Sequence, residues 1–508
     1  MSRNSEAPVG ISTAEALVVA AMTLAGGALR FYHLGVKSLW YDEAVIYHVV
    51  QGSFRAILTQ NALENSAPPL YALLLGLVTG PDASEAVLRG LSALAGTAAI
   101  PLCYLLAREF LPARSAWLVP LLVAVAPVQI IYSQQLREYS LTTASAAFLL
   151  LAYARFVRAP DRRNAAWIAS AAVLGLLTQY GMGLLLTALN LVCILAFLGS
   201  GQPIATYRRW FLTQLPAAAV AVVLYLTVVR YQAAVVGEAG LGYLKPYYWD
   251  GTTPGFLELL MSQEHDIVAY ALPGLLPLIL WAIGLLACVF VARSRLAAAF
   301  FLVPVAVTVL AAIVGVYPYG AIRQDIFLTP MVYVGVVLGV DWLLAVLPRR
   351  LPAAVSYGVA AVLAVALALP ALPADINLLS QPLGFQPMRS VVGTLGERLR
   401  PNETIYVYFN AIPAFRYYWR HHEEPWIPGA LHRSFMDEHK AAGQMAIVQD
   451  ELRDLSRRGQ PYWVVLSHLA TADENWLLES LERYATVNLV EGASGSSLLR
   501  VTPVPGRF

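Results

Sequence analysis

Charge is the scarcest thing in this chain: only 13% of its 508 residues are Asp, Glu, Lys or Arg, where a soluble globule carries about 25%. With 58% hydrophobic residues and a mean hydropathy of +0.60, that shortage excludes an ordinary water-soluble fold. Cysteine is nearly missing. Cys103, Cys193 and Cys288 all fall inside apolar runs, which leaves neither a disulfide framework nor a CxxC metal pattern. A Walker loop, a GxGxxG in strand–helix context and a basic tract are absent too, which removes P-loop nucleotide, dinucleotide and nucleic-acid binding. The chain has no long repeat and no low-complexity segment, and a net charge of +2 selects no partner.

What is present is a succession of apolar runs of about 20 residues, each long enough to cross a bilayer as a helix. About eleven spans are expected, near 14–33, 84–107, 115–133, 140–158, 165–179, 182–198, 210–229, 269–291, 296–316, 325–346 and 353–370. The first run is long enough to span rather than serve as the short core of a cleaved signal. Pro68–Gly80 is apolar but too short to cross, and reads as an interfacial helix. With the N-terminus in the cytoplasm, the inner turns hold Arg108/Arg114, Arg155/Arg158/Arg162/Arg163, Arg208/Arg209, Arg293/Arg295 and Arg349/Arg350. All are basic, as the positive-inside rule requires. Counting Pro68–Gly80 as a span would put every one of these arginines outside.

The outer turns carry the unusual residues: Asp42-Glu43, the Gln135–Tyr139 turn, Gln179-Tyr180, the 230–268 loop with Lys245–Asp250, and Tyr317–Asp325. A charged group at a helix centre costs roughly 3 kcal/mol on insertion scales. These groups are therefore expected at span ends, in a wet cavity facing outward. After Pro370 the pattern changes to mixed polar and apolar. Helices are expected near 387–400, 411–420, 435–458 and 472–484, with strands Ile405–Phe409, Tyr462–Ser467, Thr486–Val490 and Ser496–Val501. The expected organisation is a transmembrane domain over 1–374, with an outer loop and interfacial helices at about 34–83, and an extracytoplasmic α/β domain over 375–508.

Asp42 and Glu43 follow Ser38-Leu39-Trp40-Tyr41. A hydroxyl that attacks a glycosyl phosphate needs a base for its proton or a metal ion to lower its pKa, and a carboxylate pair serves either purpose. The plainer alternative is an acidic turn in which Asp42 caps a helix from Glu43 to Leu58. Arg137, Arg323 and Lys245 lie beside aromatics, which suits an anionic head group on a greasy tail. A fixed guanidinium stabilises a phosphate that gains charge as a sugar departs. The alternative is interfacial snorkelling and aromatic-belt anchoring, which fits Lys245 equally well. Glu138 is placed to pair with Arg137, while Gln135, Gln179 and Gln324 are amides that can bond hydroxyls or satisfy backbone. His421, His422, His432 and His439 cluster in the second domain without HxxxH spacing, and Asn402-Glu403-Thr404 matches a sequon.

In order along the chain come Arg30–Gly35 with Ser38–Ala44, Ala67-Pro68-Pro69-Leu70-Tyr71, Tyr132-Ser133-Gln134-Gln135-Leu136-Arg137-Glu138-Tyr139, Thr178-Gln179-Tyr180 and Gly320-Ala321-Ile322-Arg323. This set resembles the GT-C superfamily of membrane glycosyltransferases, most closely the family 39 and 83 group of protein O-mannosyltransferases and aminoarabinose transferases. The resemblance covers nearly the whole chain and implies a polytopic α-helical GT-C fold with a C-terminal extracytoplasmic α/β domain. It implies inverting transfer from a polyprenyl-phosphate sugar to a hydroxyl acceptor (protein, lipid or glycan) at the outer face of the cytoplasmic membrane. It makes Asp42 the candidate base and Glu43 its catalytic neighbour. It assigns the donor phosphate to Arg137 and Arg323; Lys245 is a further candidate phosphate cation by its own position beside aromatics, and Gln135, Glu138, Tyr139, Gln179, Tyr180 and Tyr319 are candidate substrate contacts. A divalent cation, Mg or Mn, held by Asp42 is an option that it leaves open.

Three departures bear on that option. Relatives often have His before Pro-Pro, Glu in the Tyr-Ser-Gln-Glu run and Thr-His-Tyr; this chain has Ala67, Gln135 and Gln179. Three ionisable groups are thereby removed from the expected cavity, which weakens a metal site and favours a changed substrate preference. The rival readings are a lipid-linked sugar transporter or flippase, a glycan polymerase or ligase, and a non-catalytic scaffold.

Overall fold

The computed structural model describes residues 10–58, 67–198, 201–230, 244–249, 251, 255–290, 295–346, 353–380, 386–429, 438–469, 471–493 and 495–507. Among these, seven helices are long and apolar enough to cross a membrane, and two bent pairs raise the number to nine. Helices prevail because hydrocarbon offers no partner for backbone N–H and C=O groups, so each span must satisfy its own. The shorter helices Arg162–Thr178 and Met182–Leu198 complete the bundle. Every expected span has a helical counterpart, and the chain is a multi-pass membrane protein.

Two spans differ in shape from the expectation. The run at 115–133 breaks between Val125 and Pro127 and bends by 51°, because Pro127 lacks an N–H and forces Ala126 into extended backbone. The run at 269–291 begins only at Leu275. Pro273 and Gly274 (φ 109°) end the preceding helix, Phe256–Ala271, so that Leu260–Ala271 meets Leu275–Phe290 at 114°. The helix expected from Glu43 to Leu58 also splits, into Tyr41–Val50 and a segment at 54–58.

The basic turns do share one end of the bundle. Glu109 accepts from Arg155 Nε (2.9 Å) and Arg158 Nη1 (2.8 Å). Arg114 pairs with Asp341 at 3.2 Å and Arg108 with Glu15 at 3.3 Å. Arg293, Arg349, Arg350 and the Arg295 side chain lie outside the described residues.

Two helices cross with almost no side chain between them. Gly335 and Gly339 face Leu275–Phe290, where Gly284 faces back. A Cβ at Gly339 would meet the Leu280 backbone, and one at Gly284 the Gly335 carbonyl. The spacing is the small-xxx-small pattern by which membrane helices approach closely. Gly339→Ala is expected to cost about 1–3 kcal/mol by forcing backbones apart, read as a lowered melting temperature in detergent. Gly90→Ala, whose Cβ would meet nothing within 4 Å, is the control that should melt as the wild type does.

The C-terminal domain is docked, not tethered. Leu39, Ile46, Tyr71 and Leu75 of the first outer loop share one hydrophobic core with Phe415, Tyr417 and Trp419 of the domain. Leu75 and Tyr71 belong to the helix Leu70–Val78, while Leu77 and Val78 on the same helix are exposed. The Tyr417 hydroxyl donates to the Ala83 carbonyl and the Tyr418 hydroxyl to Glu85, each at 2.8 Å.

The domain's sheet runs β2-β1-β3-β5-β4, with β1 (Thr404–Val407), β2 (Ile427–Pro428), β3 (Tyr462–Ser467), β4 (Ala485–Ala493) and β5 (Ser496–Pro503). β2, β1 and β3 are parallel, and β5 is antiparallel to both neighbours. The four expected strands are present, while the two-residue β2 leaves too short a pattern to read. The last apolar helix segment runs to Ser380, past the boundary drawn at residue 374.

Candidate functional site

The first outer loop turns from extended backbone at Trp40 (φ −91°, ψ 177°) directly into the helix Tyr41–Val50. Asp42 and Glu43 are thus in the first helical turn, where the helix dipole favours carboxylates. Consecutive helical residues point about 100° apart, so the two acids face different surroundings.

Glu43 points inward and is 1% exposed. Its carboxylate accepts from Arg89 Nε at 2.8 Å and Nη2 at 2.6 Å, from the Leu136 N–H at 2.7 Å and from the Trp40 N–H at 3.4 Å. Arg89 spends its remaining donors on the carbonyls of Leu34, Lys37 and Ser38. One buried ion pair therefore joins the outer loop, the Glu85–Arg108 helix and the 134–138 turn. The cap of the Tyr41–Val50 helix is Glu43's bond to Trp40, which corrects the reading of Asp42 as a cap.

Asp42 turns instead toward two arginines from distant segments. Its Oδ2 accepts from Arg323 Nη1 at 2.8 Å and from Arg137 Nη1 at 3.2 Å. Arg137 also pairs with Glu138 at 3.2 Å. The Tyr139 ring lies 5.3 Å from the Arg137 guanidinium and 5.9 Å from that of Arg323, which adds cation–π attraction. Arg323 follows extended Ile322 and opens the 3-10 turn Arg323–Leu328. That turn is held by Asp325, which accepts the Gly320 N–H at 2.8 Å, and by the Gln179 amide, whose N–H donates to the carbonyls of Gln324 (3.0 Å) and Arg323 (3.4 Å). The Tyr317 hydroxyl also donates to the Gln324 carbonyl, at 2.8 Å.

One carboxylate bridging two guanidiniums is the arrangement expected where a phosphate binds next to a base. Two forks with several donors each suit phosphate oxygens, and a carboxylate within the same hydrogen-bond network can take a proton. The Asp42 oxygen already faces two positive groups, and among the described residues no group of three or more His, Cys, Asp or Glu is placed to hold a metal ion.

Residues 66–231 match the model of the dolichyl-phosphate-mannose-protein mannosyltransferase family. The whole chain superposes on ArnT from Cupriavidus metallidurans bound to undecaprenyl phosphate, with TM-score 0.59 and 16% identity over 98% of this chain and 99% of that one. It also superposes on the oligosaccharyltransferase AglB from Archaeoglobus fulgidus in complex with an inhibitory peptide and a dolichol-phosphate. There the TM-score is 0.53 and the identity 13%, over 96% of this chain and 74% of that one. No curated protein sequence matches. The chain shares the fold of these membrane proteins.

Within this fold the remaining sequence candidates divide. Tyr139 and Glu138 are buried within the arginine cluster. Gln179 is 7% exposed, and among the described residues its Oε1 has no hydrogen-bond partner. Its N–H groups face carbonyls, so that oxygen is an acceptor awaiting a donor beside Arg323. Gln135 is half-buried next to Arg137, whose N–H donates to the Gln135 carbonyl at 2.9 Å. Tyr180 packs toward Leu224 and Val228.

Three candidates are placed elsewhere. Tyr319 is 4% exposed and its hydroxyl is taken by Glu264. Lys245 is exposed on the 244–247 turn and, among the described residues, no ion pair joins it to the cluster. Glu43 faces away from the two arginines of Asp42 and is engaged by Arg89. Asp250, His432 and the His439 side chain lie outside the described residues. The sequence reading passed over Arg89, although a lone arginine inside an apolar run signals a buried partner. It also passed over His468 and Gln386, for which no local motif exists.

Proposed function

We propose that the protein moves a sugar from a polyprenyl-phosphate donor to a hydroxyl acceptor at the outer face of the cytoplasmic membrane, inverting the configuration at C1. The observation that supports this most is the placement of Asp42 between Arg137 and Arg323 at 3.2 and 2.8 Å. The donor classes named for ArnT and AglB, undecaprenyl phosphate and dolichol-phosphate, agree with it. So does the position of the arginines opposite the basic turns, which the positive-inside rule assigns to the cytoplasm.

The donor phosphate takes the two guanidiniums, releasing Asp42 from them. The acceptor oxygen attacks C1 as the C1–O bond to phosphate breaks, and the bonding pair leaves on the phosphate. The acceptor proton passes to Asp42. Charge grows on the phosphate in the transition state, where preorganised arginines gain most. Direct displacement places the new bond on the opposite face of the sugar.

The test is transfer by purified, membrane-reconstituted protein from a panel of polyprenyl-phosphate sugars to an envelope fraction, with the product anomer read by NMR. A retained anomer, or no transfer from any lipid-phosphate sugar, would sink the reading. Arg323 is the more exposed arginine, 31% against 6% for Arg137, so its removal should leave the fold intact. Arg323→Ala is expected to weaken undecaprenyl phosphate binding about tenfold or more, the scale of one charge-assisted hydrogen bond. Arg323→Lys should recover only part of this, because an ammonium cannot chelate two oxygens.

A further inference from the structure

The exterior domain brings one group to the cleft that the mechanism above does not use. His468 follows the carboxyl end of β3, the edge at which open α/β sheets commonly bind ligands. Its ring stacks on Tyr41, with centroids 4.6 Å apart and planes 12° from parallel, and Tyr41 immediately precedes Asp42. His468 adopts φ 55°, an uncommon left-handed conformation for a residue with a side chain. That conformation is held from two sides. The His468 N–H donates to the Gly495 carbonyl at 3.2 Å, and its carbonyl accepts from the Asn410 amide at 3.2 Å.

The ring's tautomer follows from its neighbours. The backbone N–H of Tyr41 can only donate, so the Gln386 atom 3.0 Å from it is the amide oxygen. The other end of that amide, the NH2, then faces His468 Nδ1 at 2.8 Å. Nδ1 is therefore the acceptor nitrogen, and the ring proton resides on Nε2. Protonating Nδ1 would set N–H against N–H. Partial desolvation of the ring lowers the His468 pKa below the usual histidine value, with Asp42 raising it and Arg323 lowering it by smaller amounts. The imidazole is thus neutral, within electrostatic reach of both site charges. Its Nε2–H has no protein partner among the described residues, and the side chain is solvent-exposed.

We propose that His468 binds the acceptor, donating Nε2–H to an uncharged oxygen of the acceptor as its hydroxyl stands beside Asp42. This rests on the transfer reaction above. The lipid-linked donor arrives from the bilayer and its phosphate occupies the arginines. The exterior domain supplies His468 on the solvent side, where a second substrate enters. A neutral donor suits this role. A cationic imidazole would pair with Asp42 and weaken it as a base, and would compete with Arg323 for the phosphate.

The test uses the full chain in nanodiscs, an undecaprenyl-phosphate sugar as donor, and graded amounts of envelope fraction from cells lacking the protein as acceptor. His468→Phe is expected to raise the apparent KM for envelope acceptor about five- to tenfold, with undecaprenyl phosphate binding within twofold of wild type. His468→Gln, whose amide N–H reaches the Nε2 position, should recover most of the loss. If His468→Phe leaves the acceptor KM unchanged, or weakens undecaprenyl phosphate binding in the same ratio, the inference is wrong while the transfer reading stands. If the wild type transfers from no polyprenyl-phosphate sugar, both fall.

Discussion

Asp42→Asn should lower transfer by about 10²- to 10⁴-fold, the usual contribution of a positioned general base. The same variant should bind undecaprenyl phosphate as tightly as the wild type or more so, because both arginines lose a competing carboxylate. The fold should be unaffected: the Asp42 side chain is partly exposed and makes no buried contact on which the helix start depends. The decisive measurement pairs initial transfer rates with undecaprenyl phosphate binding on one preparation. Near-normal turnover would remove Asp42 from the chemistry. A large loss of lipid-phosphate binding would instead make it a structural partner of the arginines.

Arg89→Ala should have the largest effect on folding. It leaves the Glu43 carboxylate buried with only the N–H groups of Leu136 and Trp40, and strips three loop carbonyls of their donor. Truncating one member of a buried pair costs about 3–5 kcal/mol, a large part of the 5–15 kcal/mol that holds a typical protein folded. Loss of monodisperse protein in detergent, or a strongly lowered melt, is the expected result. The double change Arg89→Met with Glu43→Leu should recover much of that stability, because no charge is left stranded. Recovery of stability without recovery of transfer would show that the pair aims Asp42 and the 134–138 turn. A melt for Arg89→Ala equal to the wild type would contradict the support role of Glu43.

Much of the architecture was legible because the bilayer imposes a crude rule. A run of about 20 apolar residues must be a helix, and basic turns must share a side. The places where reading fell short have local causes. Pro127 and the Pro273-Gly274 pair bend runs that hydropathy treats as continuous, since hydropathy registers apolarity and not the loss of an N–H. The strand β2 pairs through only two residues, Ile427 and Pro428, which carry no period.

For the site, residue type and membrane side were readable, but direction was not. Asp42 and Glu43 are equivalent as letters. Only the bundle decides that one turns to Arg137 and Arg323 and the other to Arg89, because neighbouring helical positions diverge by about 100°. The same holds for Tyr319 and Lys245, chosen for their chemistry and placed by packing outside the cleft.

The amino-acid sequence by itself determined that this chain lives in a bilayer, and that an acidic loop and two arginines lie on the side away from its basic turns. Composition and period are local properties, and the membrane converts them directly into structure. The tertiary structure alone decided that Asp42 meets Arg323 across 281 positions of chain, and that His468 comes from a different domain to stand on Tyr41. Such meetings are set by how helices and sheet pack in three dimensions, and no stretch of sequence short enough to carry a pattern contains both partners.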